Sequence, residues 1–366
     1  MKRLALAIGI LFLSLLLAAC GPSPTPAPLP PILTPLPTDT TTPTSLVTAV
    51  PTDPPPTGTA VPTPVPATLP PAAKPTALPP TAVPTMAPIV VDTSTRAQDG
   101  MVMVHVPAGE FPMGSAPRGA GAFPNEKPQH TVYLDAFWID RTEVTVALFR
   151  AFVEASGYVT TAEKKGSAYA WVESAKEWQQ VSGADWQHPF GPGSNAEDSH
   201  PVVQVTWSDA AAYCAWVGGS LPTEAQWEKT ARGTDGRTYP WGSTFDGTRL
   251  NYCDSRCTGG DPTFDDGYRF TAPVGSYPSG ISPYGALDMA GNAWEWTADR
   301  YDEGYYAQSP ARNPGGPPAG YSRVLRGGSW NHDRSGMRTA FRLDSPLANS
   351  VDNFGFRCTV PAGSEP

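Results

Sequence analysis

The sequence predicts a loop-rich domain that combines a few short helices with a few short strands. Three amphipathic helices can be recognised from their capping residues, and the strand-like segments between them are short. The connecting segments are long and rich in glycine, proline and tryptophan. Because long loops are uncommon in a compact domain, we expect disulfides or bound ions to stabilise this one.

Threonine residues in capping positions mark the start of each predicted helix. The helix at residues 145–155 carries an apolar stripe that is typical of a core-facing helix. The helix at residues 206–218 opens with a capping box and turns Cys214 towards the interior. The third helix spans residues 223–233, with Gln226 reaching back to its cap and a glycine at its end.

The strand candidates are short segments rich in β-branched and aromatic residues. They comprise residues 101–107, 131–139, 204–205, 323–326 and 355–360. Glycine-, proline- and tryptophan-rich stretches separate them. The sequence therefore predicts few regular elements for a domain of this length.

The first twenty residues have the features of a lipoprotein signal peptide. Lys2 and Arg3 precede an apolar run at residues 4–19, and Cys20 follows directly. The last four residues, Leu-Ala-Ala-Cys, resemble the bacterial lipobox, in which Cys20 is lipidated. The alternative is a transmembrane anchor, which needs roughly 20 apolar residues. We expect an extracytoplasmic protein that acyl chains on Cys20 attach to a lipid bilayer.

Residues 21–96 are predicted to form a disordered tether rich in proline and threonine. This segment contains no aromatic residue and very few charges, so it cannot bury enough apolar surface to offset the entropy of ordering. Dense proline favours an extended polyproline II conformation. Residues 97–366 form the predicted globular domain, which holds all eleven tryptophans.

The charge of the chain argues against a nucleic-acid partner. The formal net charge is −9, and no basic stripe is visible. Phosphate binding requires clusters of lysine and arginine, which are missing from this sequence.

Four cysteines remain in the domain once Cys20 is assigned to lipidation. Cys253 and Cys257 are close enough in sequence to bridge each other, which leaves Cys214 to pair with Cys358. The alternative, a metal site at the Cys-x3-Cys segment, lacks a nearby second pair of thiol or imidazole ligands. The sequence therefore predicts two disulfides.

Several motifs occur in order along the domain. They are VPAGEFPMGS (106–115), EKKG (163–166), ADWQHP (184–189), LPTEAQWE (221–228), GNAWEW (291–296), RGGSW (326–330) and FGFRC (354–358). This series resembles the formylglycine-generating enzyme (sulfatase-modifying factor) family and covers essentially the whole domain. The resemblance implies an α+β fold, related to C-type lectins, that is loop-rich with little regular secondary structure.

The resemblance also implies an oxidation reaction, but this chain lacks the cysteine pair that performs it in the family. The family enzyme oxidises a sulfatase cysteine to formylglycine with copper and O2, through a cysteine pair shortly after the Gly-Gly-Ser motif. In this chain, the corresponding residues from Trp330 to Met337 contain no cysteine. We refer to residues 330–337 as the cysteine-free window. His332 and Met337 offer copper-ligand atoms but cannot form a disulfide, and the alternative is that they only pack. No residue is therefore assigned as catalytic.

Iron is a second route to oxidation in this fold. Relatives of the ergothioneine sulfoxide synthase type take iron-binding histidines from an additional helical domain, but here a proline-rich tether precedes the domain. The histidines show no H-x3-H or similar spacing; they are His105, His130, His188, His200 and His332. We therefore expect neither copper nor iron.

The resemblance implies structural calcium sites, since calcium binds carboxylate, amide and carbonyl oxygens. One set matches Asn251, Tyr252, Asp266 and Tyr268. A second set matches Ala290, Gly291, Asn292 and Glu295. The alternative for the first set is a solvated acidic turn around Asp265.

Family position places Trp296, Ser329 and Arg342 in the pocket region, together with His332 of the window. These side chains could bind a ligand, and the alternative is that they only pack, because buried indole rings and arginine–carboxylate pairs are common in protein cores.

The sequence thus favours a membrane-anchored surface lipoprotein that binds or scaffolds without oxidising. Its expected ligand is a protein, a peptide or a glycan. The alternative is a metal-dependent oxidoreductase of the same family with a non-cysteine site. A third possibility is a maturation factor that binds sulfatase-like peptides without oxidising them.

Overall fold

The computed structural model describes residues 91–116 and 121–363. The predicted signal peptide, Cys20 and nearly all of the predicted tether lie outside these ranges. Within the described part of the chain, no helix is both long and apolar enough to cross a lipid bilayer.

The described residues form four α-helices and twelve short strands. The helices are α1 (Val146–Ser156), α2 (Thr161–Lys165), α3 (Trp207–Trp216) and α4 (Glu224–Arg232). The strands are β1 (Thr93–Thr95), β2 (Val102–Val106), β3 (Gly109–Met113), β4 (His130–Leu134), β5 (Phe137–Asp140), β6 (Ser167–Val172), β7 (Glu177–Ser182), β8 (Trp294–Arg300), β9 (Ser322–Arg326), β10 (Leu343–Pro346), β11 (Phe354–Gly355) and β12 (Thr359–Pro361). The predicted α+β, loop-rich architecture is confirmed.

Two four-stranded sheets and two hairpins contain all of these strands. The first sheet has the order β1-β2-β5-β12 and is antiparallel throughout. The second has the order β10-β9-β8-β11, in which β11 runs parallel to β8. The hairpins pair β3 with β4 and β6 with β7. Strand β1 lies in residues that the sequence assigned to the tether, so regular structure begins before residue 97.

Capping explains where three helices begin, as the sequence predicts. The hydroxyl of Thr145 accepts the amide proton of Leu148 at the start of α1. Helices α3 and α4 begin with complete capping boxes at Thr206 and Thr223. Helix α2 was not predicted from the sequence, although Thr160 forms a capping box there as well.

Three strand predictions need correction. Residues 204–205 do not form a strand, because Gln204 has a φ of 62°, in the left-handed region that extended strands exclude. Residues 131–139 divide into β4 and β5, and residues 355–360 divide between β11 and β12. In both cases a local change of direction separates two strands that pair in different sheets.

An aromatic core joins helices α1 and α3 to the chain before β12. Phe149 stacks on Tyr213 with ring centroids 5.9 Å apart, and Phe356 packs edge-on against Tyr213 at 5.4 Å. The disulfide between Cys214 and Cys358 crosses the same core, with a Cα–Cα distance of 5.5 Å. Helix α3 is thereby fixed to the C-terminal part of the domain.

Candidate ligand and metal sites

The cysteine-free window packs against aromatic residues on several sides. The buried indole of Trp330 meets the ring of Phe270 edge-on at 5.0 Å. The imidazole of His332 lies edge-on to Trp294, with the centroids 5.5 Å apart. Met337 is buried, and a Cβ on Gly328 would lie 2.6 Å from its sulfur. The close approach of Met337 thus requires glycine at position 328, which has a φ of 81°.

All four cysteines of the domain are oxidised in the structure. Cys214 is bonded to Cys358, and Cys253 to Cys257, so both predicted pairings are confirmed. No free thiol remains in the described residues to form the soft pair of ligands that Cu(I) favours. The same residues contain no group of three or more histidine, cysteine, aspartate or glutamate side chains arranged to hold a metal ion. The expectation of neither copper nor iron stays a prediction.

Three of the four predicted pocket residues are buried in contacts with other described residues. The indole of Trp296 is buried and donates to the Val205 carbonyl at 3.0 Å. The hydroxyl of Ser329 accepts from the Asn353 amide at 3.1 Å. Arg342 is buried in an ion pair, and only His332 is partly exposed, at 31%. The contacts of Trp296, Ser329 and Arg342 are those of packing residues.

The first predicted calcium set does come together. Asp266 accepts from the backbone amides of Tyr252 and Tyr268, both at 2.9 Å. Asn251 donates to the Phe270 carbonyl at 2.8 Å, while its side-chain oxygen is buried with no hydrogen-bond partner among the described residues. Burial raises the pKa of Asp266 to about 6, and the neighbouring Asp254 carboxylate adds to this shift.

An oxygen that is sealed from water and lacks a donor is costly unless a cation satisfies it. The orphaned oxygen of Asn251 and the carboxylate of Asp266 are hard ligands of the type that calcium prefers. The residues of the first set therefore fit a calcium ion. Gly291 of the second set touches this region, since a Cβ there would lie 2.1 Å from the Asn251 carbonyl oxygen.

The side chains of the second predicted calcium set are already engaged. The side-chain oxygen of Asn292 accepts from Asn251 at 3.1 Å and from the amide of Ala272 at 2.8 Å. Glu295 accepts from Arg357 at 2.6 and 2.7 Å, and from the indole of Trp227 at 2.8 Å. These side-chain oxygens all have protein donors, so this set contains no orphaned oxygen like that of Asn251, and the second calcium site stays a prediction. The backbone carbonyls of Ala290 and Gly291 do not by themselves indicate a cation site.

A cluster of buried carboxylates, which was not predicted from the sequence, lies beside this set. Burial, reinforced by the carboxylates of Asp288 and Glu295, raises the pKa of Glu143 well above its ordinary value. Burial likewise raises the pKa of Asp288 to about 6. Glu143 accepts from the amides of Asn292 at 2.9 Å and Ala293 at 3.0 Å. Glu143 is remote in sequence, so no local signal could have placed it here.

A cavity of about 550 Å³ opens beside the window. Its lining includes Phe190, Asn195, Glu197, His200, Tyr268 and Phe270. We call it the Phe190 cavity. The rings of Phe190 and Phe270 lie 4.3 Å apart and are tilted by 43°. Because Phe270 also contacts Trp330, the cavity adjoins the window that holds the reactive cysteines in the family.

A model of the sulfatase-modifying factor enzyme 1-like domain matches residues 90–362. The chain belongs to this family. The formylglycine-generating enzyme of Streptomyces coelicolor is 43% identical over 293 residues, covering 74% of this chain and 90% of that protein. The inactive C-alpha-formylglycine-generating enzyme 2 of Mus musculus is 38% identical over 291 residues, covering 73% of this chain and 88% of that protein.

Among solved structures, the family fold is matched by PvdO from Pseudomonas aeruginosa. It has a TM-score of 0.59 and 26% identity, and the match covers 73% of this chain and 97% of that chain. The relatives of this chain thus include a protein named as a formylglycine-generating enzyme and one whose name states inactivity. Family membership alone therefore does not decide whether this chain oxidises a substrate.

Proposed function

We propose that this protein is a non-oxidising binding module of the sulfatase-modifying factor family. The observation that carries the proposal is the absence of thiols. The window from Trp330 to Met337 contains no cysteine, and the four cysteines of the domain form two disulfides. A copper oxidation through a thiolate pair has no ligands here.

The surroundings of the window support the same proposal. The hydroxyl of Ser329 is held by Asn353, and Met337 fills the space above Gly328. The imidazole of His332 packs between Trp294 and Phe341, with both ring centroids 5.5 Å away. A packed aromatic environment suits a rigid module more than a site that must admit a metal, O2 and a cysteine side chain.

Calcium is part of the proposal as a structural ion. Asn251 and Asp266 would hold it through their side-chain oxygens, and Tyr252 and Tyr268 would add backbone carbonyls. When bound, calcium supplies a fixed positive charge that neutralises Asp266 and orders the surrounding loops. It performs no chemistry in this role.

The proposed module is attached to the outer face of a bacterial membrane. Residues 1–20 read as a lipoprotein signal peptide, and residues 21–96 as an extended tether. Such a tether would project the domain away from the lipid towards a protein, peptide or glycan. Replacing Cys20 with serine is expected to abolish incorporation of radiolabelled palmitate and to release the protein from the membrane fraction. Labelling of the Cys20→Ser chain would contradict the lipid anchor.

The alternative function is a metal-dependent oxidoreductase of the same family. It is favoured by the identity of 43% to a formylglycine-generating enzyme. It would require a metal site without cysteine ligands, of which His332 is the candidate ligand in the window.

The decisive experiment measures aldehyde formation and metal content together. The purified chain is incubated with copper, O2 and a cysteine-containing sulfatase peptide, and aldehyde is detected by hydrazide labelling and mass spectrometry. The Streptomyces coelicolor relative serves as the positive control. We expect no aldehyde, with calcium as the bound metal. Aldehyde formation, or stoichiometric copper or iron that is lost on His332→Ala, would overturn the proposal in favour of the oxidoreductase.

A further inference from the structure

The Phe190 cavity has the dimensions and chemistry of a small-molecule site. Its volume of about 550 Å³ falls within the range of roughly 300–1,000 Å³ that is typical of ligand pockets. We propose that it binds a short neutral oligosaccharide, and that the cation on Asn251 and Asp266 holds one of its walls in place. This inference rests on the proposed function as a binding module and names its ligand class.

One wall of the cavity is the loop that leads up to α3, and it is held in a fixed conformation. The side chain of Gln204 donates to the carbonyls of Pro189 at 2.6 Å and Tyr169 at 2.9 Å. Gln204 is fully buried and has a φ of 62°, which a residue with a side chain adopts at an energetic cost. The strained residue thus ties the cavity loop to strand β6, so the wall is formed before any ligand arrives.

The segment from Tyr268 to Pro273 supplies a second part of the lining, and residues of the candidate cation site are hydrogen-bonded to it. Asp266 accepts the amide proton of Tyr268 at 2.9 Å, and Asn251 donates to the carbonyl of Phe270 at 2.8 Å. Asn292 accepts the amide proton of Ala272 at 2.8 Å. A cation that fixes Asn251 and Asp266 therefore also fixes the rings of Tyr268 and Phe270 that face the cavity.

The one arginine in the cavity lining is already paired, which disfavours an anionic ligand. Arg269 is paired with Glu173 at 2.6 Å. Glu197 lies 3.3 Å from the imidazole of His200, whose other ring nitrogen is 2.9 Å from the hydroxyl of Thr271. An anionic ligand therefore finds no free guanidinium among these side chains, whereas a neutral ligand can use their hydrogen-bonding groups.

The remaining chemistry matches a pyranose ring. Phe190 and Phe270 line the cavity, and the π potential of aromatic rings attracts polarised C–H groups of a sugar. Amide, carboxylate and hydroxyl groups of Asn195, Glu197 and Thr271 line the same space and can exchange hydrogen bonds with sugar hydroxyls. A lining that combines aromatic rings with hydrogen-bonding groups is complementary to a molecule whose faces are apolar and whose edges are hydroxylated.

The test is titration calorimetry on the full chain, purified in a zwitterionic detergent that has no sugar head group. The probes are maltotriose, cellotriose and chitotriose, each measured with calcium and with EGTA. The test variant is Phe190→Leu, which keeps an apolar side chain but removes the aromatic face. The matched control is Phe123→Leu, at an aromatic residue that is 45% exposed and does not line the cavity.

We expect at least one trisaccharide to bind, with affinity about fivefold lower for Phe190→Leu and unchanged for Phe123→Leu. Chelation should weaken binding about tenfold, and added calcium should restore it. Three results would overturn the inference: no binding of any trisaccharide at millimolar concentration, binding that Phe190→Leu leaves intact, or binding that is indifferent to EGTA. If neither sugar binding nor aldehyde formation is observed, this inference is wrong and the proposed function stands. Aldehyde formation would instead contradict the proposed function.

Discussion

Arg342 carries its positive charge entirely inside the protein. Its guanidinium donates to both carboxylate oxygens of Glu224, at 2.6 and 2.9 Å, and lies 4.2 Å from the ring centre of Tyr306. Both partners of the ion pair are buried. Arg342, which the family resemblance places in a ligand pocket, therefore forms an ion pair in the protein core.

Replacing Arg342 with methionine should destabilise the fold by about 3–5 kcal/mol, because Glu224 would keep a buried charge without its main partner. The double variant Arg342→Met, Glu224→Gln should recover part of this loss. Urea unfolding measures both free energies. Arg150→Met, which breaks the exposed pair with Asp198, serves as the control and should cost less than about 1 kcal/mol. A double variant no more stable than the single one would contradict the ion-pair explanation.

Asp299 is a second buried residue, and its surroundings change its pKa. Its carboxylate accepts the amide proton of Glu224 at the first turn of α4, at 2.7 Å. Burial, reinforced by the nearby Glu224 carboxylate, raises the pKa of Asp299 to about 8. The unfolded chain has an ordinary aspartate with a pKa of about 3.9. Between these values the folded state holds a proton that the unfolded state has lost.

The stability contributed by protonated Asp299 is fully present below about pH 4 and is lost as the pH rises through about 8. Asp299→Asn should remove this component. The melting temperature of the variant relative to that of the parent should therefore rise from pH 5 to pH 8. Thermal unfolding at several pH values measures it. Asp344→Asn, at an exposed aspartate of β10, is the control. Parallel pH profiles for Asp299→Asn and the parent would refute the assignment.

At the scale of elements, the sequence predicts helices better than strands. The capping boxes at Thr206 and Thr223 are local signals, so they mark α3 and α4 within a few residues. Strand β8 was missed although it carries the GNAWEW motif, because its pairing with β9 joins residues distant in sequence. Residues 204–205 were wrongly predicted to form a strand, because alternation of apolar residues does not reveal that Gln204 has a left-handed backbone conformation.

The candidate sites, like the secondary structure, could be predicted only in part from the sequence. Family positions indicated Asn251 and Asp266, and in the structure Asp266 accepts the backbone amide of Tyr252, the residue next to Asn251. The motifs could not show that Glu295 is bound by Arg357, nor that Glu143 lies beside it. The Phe190 cavity was not foreseen either, because its two walls come from loops separated by more than sixty residues of sequence. Local spacing identifies ligand types, whereas tertiary contacts decide which of them are free.

The two disulfides should differ in their contributions to stability, because they close loops of different length. Cys214 and Cys358 are separated by 144 residues, and Cys253 and Cys257 by 4. In the chain-entropy model, these loops correspond to about 5 and about 2 kcal/mol respectively. Replacing the first pair with alanines should therefore lower the free energy of unfolding more than replacing the second.

Denaturant unfolding of the two double-alanine variants tests this difference, with the parent chain under oxidising conditions as the reference. The aromatic core around Tyr213 makes the first variant lose packing as well as the crosslink. Equal losses for the two variants, or a larger loss at Cys253 and Cys257, would show that the short disulfide stabilises through native contacts. One such contact is the hydrogen bond from the Cys253 amide to the His332 carbonyl, at 3.1 Å.

For the whole molecule, the scarcity of regular structure makes bound ions important. The segment from Tyr268 to Pro273 belongs to no helix or strand, and side chains of Asn251, Asp266 and Asn292 hold it. Two of these three residues are the side-chain ligands of the proposed calcium site. A single ion would therefore stabilise a loop that also walls the Phe190 cavity and touches the window through Phe270.

Removing calcium with EGTA should consequently destabilise the full chain and loosen this segment first. At a calcium concentration of one hundred times Kd, binding contributes about 2.7 kcal/mol, which corresponds to roughly 5–10 °C in melting temperature for a domain of this size. Hydrogen exchange should speed up at the amides of Tyr252 and Tyr268, while strands β2 and β5 stay protected. Asn251→Ala should abolish the calcium response, whereas Asn349→Ala, at a partly exposed asparagine outside the site, should retain it. A melting temperature that EGTA leaves unchanged would contradict the ion, since the parent chain then needs no cation to satisfy the buried oxygen of Asn251.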